Sequence, residues 1–363
     1  MDWENKFTKE DLRRFQAETL DQKIQRSFAK ISEWFVRNND QVYVSFSGGK
    51  DSTVLADLCA KWCAVQNIPL YLVFCDTGLE YPEIRKHVKE FAEWLRQKYG
   101  IDVVLEIVRP KMRFDEVVKQ YGYPIISKSV ANCIRGARNG SQYRIKRLNG
   151  EIVMPDGTKG IWNTEKYKPL LDVDFKISER CCDITKKMPT KEYEKNTGRM
   201  PILATMAEES KLREKNWMRT GCNAFDESRP KSAPMSFWTE QDVLQYIKRY
   251  DLPLASVYGQ IEYANDPEQM RIEEFGLPDC GTEKLCTTGC DRTGCIFCGF
   301  GCHLDGSPSR FERLKQTHPR QYQYCIGGGE YVDGVWRPNK EGLGLGHVFD
   351  VLNNIYGDDF IKY

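Results

Sequence analysis

Six consecutive residues, Ser47-Gly48-Gly49-Lys50-Asp51-Ser52, have the types and order needed to hold a phosphate group. The paired glycines let the backbone approach a ligand closely. Lys50 can neutralise phosphate charge, and the hydroxyls of Ser47 and Ser52 can donate hydrogen bonds. A bare Gly-Gly turn before a helix is mostly structural, whereas the whole hexad after a strand reads as a phosphate site. Its spacing is not the Gly-x-x-x-x-Gly-Lys-Ser/Thr of a Walker A loop. A second constellation, Asp76-Thr77-Gly78, offers a carboxylate that could position Mg²⁺ or hydrogen-bond a ribose or base. Helix-capping turns use the same residue types. The third constellation consists of thiols. Of 14 cysteines, six fall between Cys280 and Cys302, and the adjacent pair Cys181-Cys182 stands far upstream. Such clustering suggests metal, and Cys286, Cys290, Cys295, Cys298 and Cys302 alone could furnish a four-thiolate zinc site. Cys59, Cys63 and Cys75 sit in apolar surroundings as core thiols. His303 beside Cys302 is either a further ligand or a bystander.

The elements that must position these groups follow from periodicity. Val42-Tyr43-Val44-Ser45-Phe46 reads as a buried strand, and Thr53 to Cys59 opens a helix. That helix would point its unpaired N–H groups and positive dipole end at the phosphate. Upstream, Leu20, Ile24, Phe28, Ile31 and Phe35 recur at helical spacing. Residues 68–75 supply a second strand that ends at Asp76. Pro82 then starts a helix carrying Ile84, Val88, Phe91, Leu95 and Tyr99 on one face, stopped by Gly100. Residues 102–108 form a third strand. This alternation predicts a parallel sheet with helices on both faces, with ligands beyond the carboxyl ends of the strands. Further on, Asn149-Gly150 and Asp156-Gly157 flank an apolar run and predict a β-hairpin insertion near 141–165. Trp238-Thr239-Glu240 introduces a capped helix with Val243, Leu244 and Ile247.

Charge is nearly balanced, 53 basic against 52 acidic residues, so no global field points to nucleic acid. A local run does stand out. Lys128, Arg135, Arg138, Arg144, Lys146 and Arg147 occur with no acidic residue among them. They form either a solvated surface or a contact for an anionic partner, including RNA or DNA. The N-terminus lacks the apolar core of a signal peptide, and no run reaches transmembrane length. A soluble, cytoplasmic protein with no membrane association is expected, its cysteines not arranged as a disulfide framework.

The hexad resembles the PP-loop of the ATP pyrophosphatases. Asp76-Thr77-Gly78 with Pro82-Glu83 is similar to a stretch of the phosphoadenosine-phosphosulfate (PAPS) reductases and the small subunit of ATP sulfurylase. Glu208-Glu209-Ser210-x-x-Arg213 resembles their Glu/Gln-Ser-x-x-Arg element near the phosphates. Pro234-Met235-Ser236-Phe237-Trp238-Thr239-Glu240-Gln241-Asp242-Val243 resembles their Pro-Leu-x-x-Trp-Thr-x-x-Asp-Val segment. The order and spacing agree from about residue 40 to about residue 300, so the chain is identified as a member of the PAPS reductase and PP-loop ATPase superfamily. A Cys-Cys pair with a later Cys-x-x-Cys is similar to the [4Fe–4S] ligands of assimilatory adenylylsulfate (APS) reductases, which implies Cys181, Cys182, Cys295 and Cys298 as cluster ligands. Lys186 and Pro189 match the motif that follows, and Thr185 replaces its Arg.

Two departures direct the reading. The reductases usually carry a degraded PP-loop, whereas the hexad here is complete and suits an intact triphosphate. They also end in a Glu-Cys-Gly segment that is missing; Cys280-Gly281 and Cys325-Ile326-Gly327 have the wrong neighbours. The resemblance thus implies an adenine nucleotide α-hydrolase-like α/β fold. Residues 1–235 would form the nucleotide-binding domain and 236–363 a helical, Cys-rich region. It further implies an ATP- and Mg²⁺-dependent adenylating enzyme of sulfur transfer, as in tRNA thiolases and DNA phosphorothioation. Lys50, Asp51 and Arg213 would act in catalysis, and Ser47, Gly48, Gly49, Ser52, Asp76, Thr77, Gly78, Glu209 and Ser210 would bind the nucleotide. Expected partners are an adenine nucleotide, a sulfur or electron donor such as a desulfurase or thioredoxin, and nucleic acid through Lys128 to Arg147. The alternatives are a PAPS or APS reductase and a nucleic-acid-binding subunit of a modification complex.

Overall fold

The computed structural model describes residues 5–264 and 284–363. The chain divides into two compact units that interleave in sequence. Unit 1 comprises Met1–Asp76, Glu80–Val108 and Thr190–Thr293; unit 2 comprises Thr77–Leu79, Arg109–Pro189 and Gly294–Tyr363.

Unit 1 is an α/β layer structure around a six-stranded sheet. The apolar runs become β1 (Val42–Ser45), β2 (Leu70–Cys75) and β3 (Val103–Val108). The sheet runs β3-β2-β1 and continues through Met200–Ile202, Lys231–Ser232 and Asn223–Ala224. All neighbours are parallel except the last pair. Register sets Val44 beside Leu72 and Ser45 beside Val73, so the carboxyl ends of β1 and β2 lie side by side. Helix Lys50–Gln66 follows β1 and is buried from Ser52 to Ala60, taking the polar Ser52, Thr53 and Asp57 inside with its apolar residues. Helix Pro82–Tyr99 starts on its proline and ends on Gly100 in the left-handed conformation, as the residue types predict. Helix Leu20–Arg37 buries Leu20, Ile31, Trp34 and Phe35, but also Lys23 and Ser27.

Those two polar residues explain the Pro-x-x-x-Trp-Thr-x-x-Asp segment. Trp238 is fully buried, and its indole N–H donates to Ser27 Oγ at 2.9 Å. Ser27 in turn donates to the Pro234 carbonyl at 3.0 Å. Thr239 and Asp242 form the capping box of helix Glu240–Tyr250. The same Asp242 carboxylate takes the buried Lys23 ammonium at 2.7 Å. The segment is a structural brace that fixes where Glu240 stands.

Unit 2 is mainly helical. Its helices are Phe114–Tyr121, Lys128–Arg138, Gln142–Asn149, Arg310–Thr317, Pro319–Ile326 and Leu345–Tyr356, with a 3₁₀ helix over Glu165–Leu171. Phe311, Cys325, Val348, Phe349 and Leu352 are among its core residues. Two short parallel strands, Ile125–Ile126 and Gly299–Phe300, pair side by side. The hairpin signalled near 141–165 is narrower than its turn residues suggest. Gly150 caps helix Gln142–Asn149 in the left-handed conformation, so Asn149-Gly150 ends a helix, and antiparallel pairing joins only Val153 to Lys159. Among the described residues, no helix is long and apolar enough to cross a membrane.

Candidate functional site

The glycine turn expected to hold phosphate grows from the carboxyl end of β1 in unit 1. Gly48 has a φ of +73°, and a Cβ there would stand 2.8 Å from Val88 Cγ2 and 2.9 Å from Ile84 Cγ2. Conformation and space both demand glycine at this turn. Gly49 is the N-cap of helix Lys50–Gln66 and contributes no side-chain cap. The N–H groups of the first helical turn therefore lack partners within the helix, although the Lys50 N–H donates to the Tyr258 hydroxyl at 3.2 Å. The Ser47 and Ser52 hydroxyls lie 3.1 Å apart, and Ser52 also donates to the Gly49 carbonyl at 2.9 Å.

Cations gather over this turn. Lys50 is only 4% exposed; its ammonium donates to the Asp291 carbonyl at 2.7 Å and pairs with Glu240 at 2.9 Å. Arg213 pairs with Glu209, whose second oxygen takes Arg292 at 2.6 Å. Asp51 lies amid these charges. Its Oδ1 is buried with no hydrogen-bond partner among the described residues. Burial pushes the Asp51 carboxyl up, against the pull of Lys50, Arg292 and Arg213. Burial and the neighbouring Arg292 also lower the Arg213 guanidinium. Three cations, an orphaned carboxylate oxygen and a helix N-terminus together suit a polyphosphate with a divalent cation.

Asp76 stands at the end of β2, its carboxylate 2.8 Å from Arg85. Thr77 and Gly78 fall in unit 2, and the buried Thr77 hydroxyl accepts from the Leu79 N–H at 3.2 Å. Ser210 caps helix Lys211–Thr220 by accepting from the Arg213 N–H at 3.3 Å, so its hydroxyl helps aim Arg213. Sequence reasoning missed Glu240, Tyr258 and Arg292. Glu240 was hidden within a capping signal, and Arg292 stood in a Cys/Gly-rich stretch without periodicity.

Within unit 2 the four expected thiols converge. Cys181 and Cys182 open a π-helical turn over Asp183–Lys187, with their sulfurs 4.0 Å apart. Cys181 is pushed up by its hydrogen bond to Cys182, by burial and by the charges of Cys298 and Cys295 as well as Cys182. Cys182 is pulled down by that same hydrogen bond and by Lys128 and Lys186, against its burial. The two shifts run in opposite directions, with the lowered thiol being Cys182. Lys128 reaches it from the first turn of helix Lys128–Arg138, directly after strand Ile125–Ile126. On the paired strand, Arg310 donates to the Cys298 carbonyl at 3.2 Å and the Phe300 carbonyl at 3.0 Å. Asp305 grips the other edge of Arg310 at 2.7 and 2.8 Å. No group of three His, Cys, Asp or Glu closes into a ready ion site among the described residues, so these are neighbouring thiols rather than a formed cage. Cys286 and Cys290 belong to unit 1. His303 stacks on Phe360 with ring centroids 5.1 Å apart. Cys325 is fully buried and burial raises its thiol far up, which unfits it for attack on a nucleotide's sulfur. Cys280 lies outside the described residues.

The basic run from Lys128 to Arg147 is mostly turned to internal use, which corrects the expectation of an open contact surface. Arg135 makes a two-pronged pair with Glu179 at 3.0 and 2.6 Å. Arg138 donates to the carbonyls of Leu170, Leu171, Val173 and Phe175. Arg144 donates to Asn132 Oδ1, and the buried Arg147 to the Trp162 carbonyl at 2.8 Å. A run of like charge shows only that guanidinium groups are present, not whether they face water or carbonyls.

Residues 41–133 and 141–299 match the family described as the phosphoadenosine phosphosulfate reductase domain. The sulfate adenylyltransferase subunit 2 of Streptomyces lavendulae is 25% identical over 234 residues, 63% of this chain and 58% of that protein. The chain thus spans less than two thirds of the length of this curated relative. Among solved structures, NMN synthetase from Francisella tularensis aligns with 65% of this chain and 72% of its own, at 12% identity and a TM-score of 0.32.

Proposed function

The chain belongs to the phosphoadenosine phosphosulfate reductase domain family, and from that premise we propose that unit 1 binds ATP and cleaves it at the α-phosphate to activate a substrate for sulfur transfer. The observation that carries this reading is the complete cradle around Gly48, with Lys50, Arg213 and Arg292 gathered about it. A substrate oxygen attacks the α-phosphorus, the bond to the bridging oxygen of the β-phosphate breaks, and pyrophosphate departs. Lys50, the first-turn N–H groups, Arg213 and Arg292 offset its developing charge. The triphosphate would compete with Glu240 for Lys50 and with Glu209 for the two arginines, which makes both carboxylates exchange partners. Asp51, with its unpartnered buried Oδ1, would hold Mg²⁺, a hard cation that takes oxygen ligands.

In the same reading Cys181, Cys182, Cys295 and Cys298 would hold a [4Fe–4S] cluster, supported by the four-thiolate chemistry of a set that gathers in unit 2. Such a cluster, when bound, supplies a site for handling sulfur or electrons. Lys128 and Lys186 offset thiolate charge there, and Arg310 holds the loop that carries Cys298.

Anaerobic purification with iron, sulfide and zinc analysis tests the second part, and pyrophosphate release from ATP tests the first. About four irons per chain, together with pyrophosphate release abolished in Lys50→Ala, is the expected result. Sulfite formed from PAPS without ATP consumption would overturn the activation reading in favour of a reductase. Zinc in place of iron would overturn the cluster.

A further inference from the structure

The near-neutral chain conceals a charge division. Unit 2 carries 24 Lys and Arg against 17 Asp and Glu, leaving 29 against 35 for unit 1. The arginines of the basic run are spent internally, so the excess is displayed elsewhere. An open cleft of about 530 Å³ in unit 2 is lined by Lys111, Lys119, Lys176 and Arg337, with Glu116 as the acidic lining residue. Glu116 is occupied, its Oε2 accepting from the Arg113 N–H at 2.7 Å to cap helix Phe114–Tyr121. Lys111, Lys119 and Lys176 are exposed. Lys119, Lys176 and Arg337 form no ion pair among the described residues, and Lys176 makes only a long 3.4 Å hydrogen bond to the Gln120 carbonyl. Arg337 is half-buried on the strand Val335–Arg337, and its Nε is buried with no hydrogen-bond partner. Opposite it in the hairpin stands Glu330, exposed and not paired with it.

Lys119, Lys176 and Arg337, three cations without an ion pair among the described residues and one of them with an unmet donor, line one open groove and have the character of a surface for successive phosphates. A single small anion would need fewer donors at closer quarters. We propose that this cleft docks the phosphodiester backbone of a nucleic acid, making nucleic acid the substrate class. The proposal rests on the activation reading for its meaning, though not for its test. It also moves the nucleic-acid contact away from Lys128 to Arg147.

The test is fluorescence anisotropy of the full chain with a labelled single-stranded DNA of about 20 nucleotides, and with RNA of the same sequence, between ~50 and ~200 mM salt and without ATP. Affinity is expected to fall steeply with salt. Lys119→Gln and Lys176→Gln should each reduce the slope of log affinity against log salt by about 0.7, as loss of one phosphate contact to a single strand requires. Lys168→Gln removes the same charge from an exposed position outside the cleft and should leave the slope unchanged. Far-ultraviolet circular dichroism confirms that the variants are folded. Absence of binding at low salt, slopes indifferent to the cleft variants, or equal displacement of the oligonucleotide by millimolar inorganic phosphate would each overturn the proposal. Failure to bind leaves ATP cleavage intact, whereas binding here with no pyrophosphate release in the separate assay with ATP would sink the activation reading and leave the docking surface standing.

Discussion

Replacing Gly48 with alanine probes the turn on which the proposed phosphate site depends. Its φ of +73° places any other residue in the left-handed region, at a cost of about 1–2 kcal/mol. The added Cβ would meet Val88 Cγ2 at 2.8 Å and Ile84 Cγ2 at 2.9 Å, where carbon atoms prefer about 3.5–4.0 Å. Both side chains belong to helix Pro82–Tyr99 and are buried, so neither can swing aside freely, and overpacking adds about 1–3 kcal/mol. The sum, about 2–5 kcal/mol, corresponds to a fall in Tm of about 5–15 °C if unit 1 melts cooperatively. Gly49→Ala is the matched control. Gly49 has a φ of −77°, and a Cβ there meets the Tyr258 hydroxyl at 3.3 Å, Ser47 Oγ at 3.4 Å and Thr293 Oγ1 at 3.6 Å, all farther than the contacts at Gly48. Alanine is a poorer N-cap than glycine by about 1 kcal/mol, which lowers Tm by only about 2–4 °C. Scanning calorimetry of the three proteins, each with and without ATP and Mg²⁺, reads both effects. Gly48→Ala should melt well below Gly49→Ala and lose its stabilisation by nucleotide. If Gly48→Ala melted within about 1 °C of the parent, or above Gly49→Ala, the strained-turn argument would be refuted.

Two further outcomes follow from groups buried in unit 1. Lys23→Met strands the Asp242 carboxylate, which keeps only its bonds from the Thr239 N–H at 2.6 Å and hydroxyl at 2.7 Å. Urea unfolding should show a loss of about 3–5 kcal/mol, partly recovered in Lys23→Met/Asp242→Asn; a loss below about 1 kcal/mol would mean the pair is dispensable. His87 is buried beneath the phosphate-loop helix, with Nε2 3.2 Å from Thr53 Oγ1, and burial lowers its pKa to about 4. Because the unfolded imidazole binds its proton near pH 6.5 and the folded one only near 4, this stability is complete above pH 6.5. It declines as pH falls toward 4, by on the order of 3 kcal/mol. His87→Phe should flatten that part of the stability–pH curve, and an unchanged slope would remove His87 as its source.

The parts of this protein that could be read from sequence are those whose cause is local. Strands β1, β2 and β3 and helix Pro82–Tyr99 appear within a residue or two of the expected bounds, and the helix after β1 starts three residues before the expected Thr53, because each is specified by its own apolar period and its own caps. The hexad Ser47–Ser52 was legible for the same reason: strand, glycine turn and helix N-terminus occur in one continuous stretch. What completes the site is not local. Glu240, Tyr258 and Arg292 reach Lys50 and Glu209 only because β1 lies inside the sheet with later segments folded around it. Charge reading failed where sequence order and spatial order part company. Since each unit is assembled from three separate segments, composition taken along the chain averages a basic body with an acidic one. Since a guanidinium can satisfy carbonyls as well as phosphates, Arg138, with its bonds to four backbone carbonyls, looks identical in sequence to a residue awaiting a ligand. The informative cations are instead those left without partners after folding, and Arg337, unremarked in the sequence, is identified as one by a single buried and unbonded Nε.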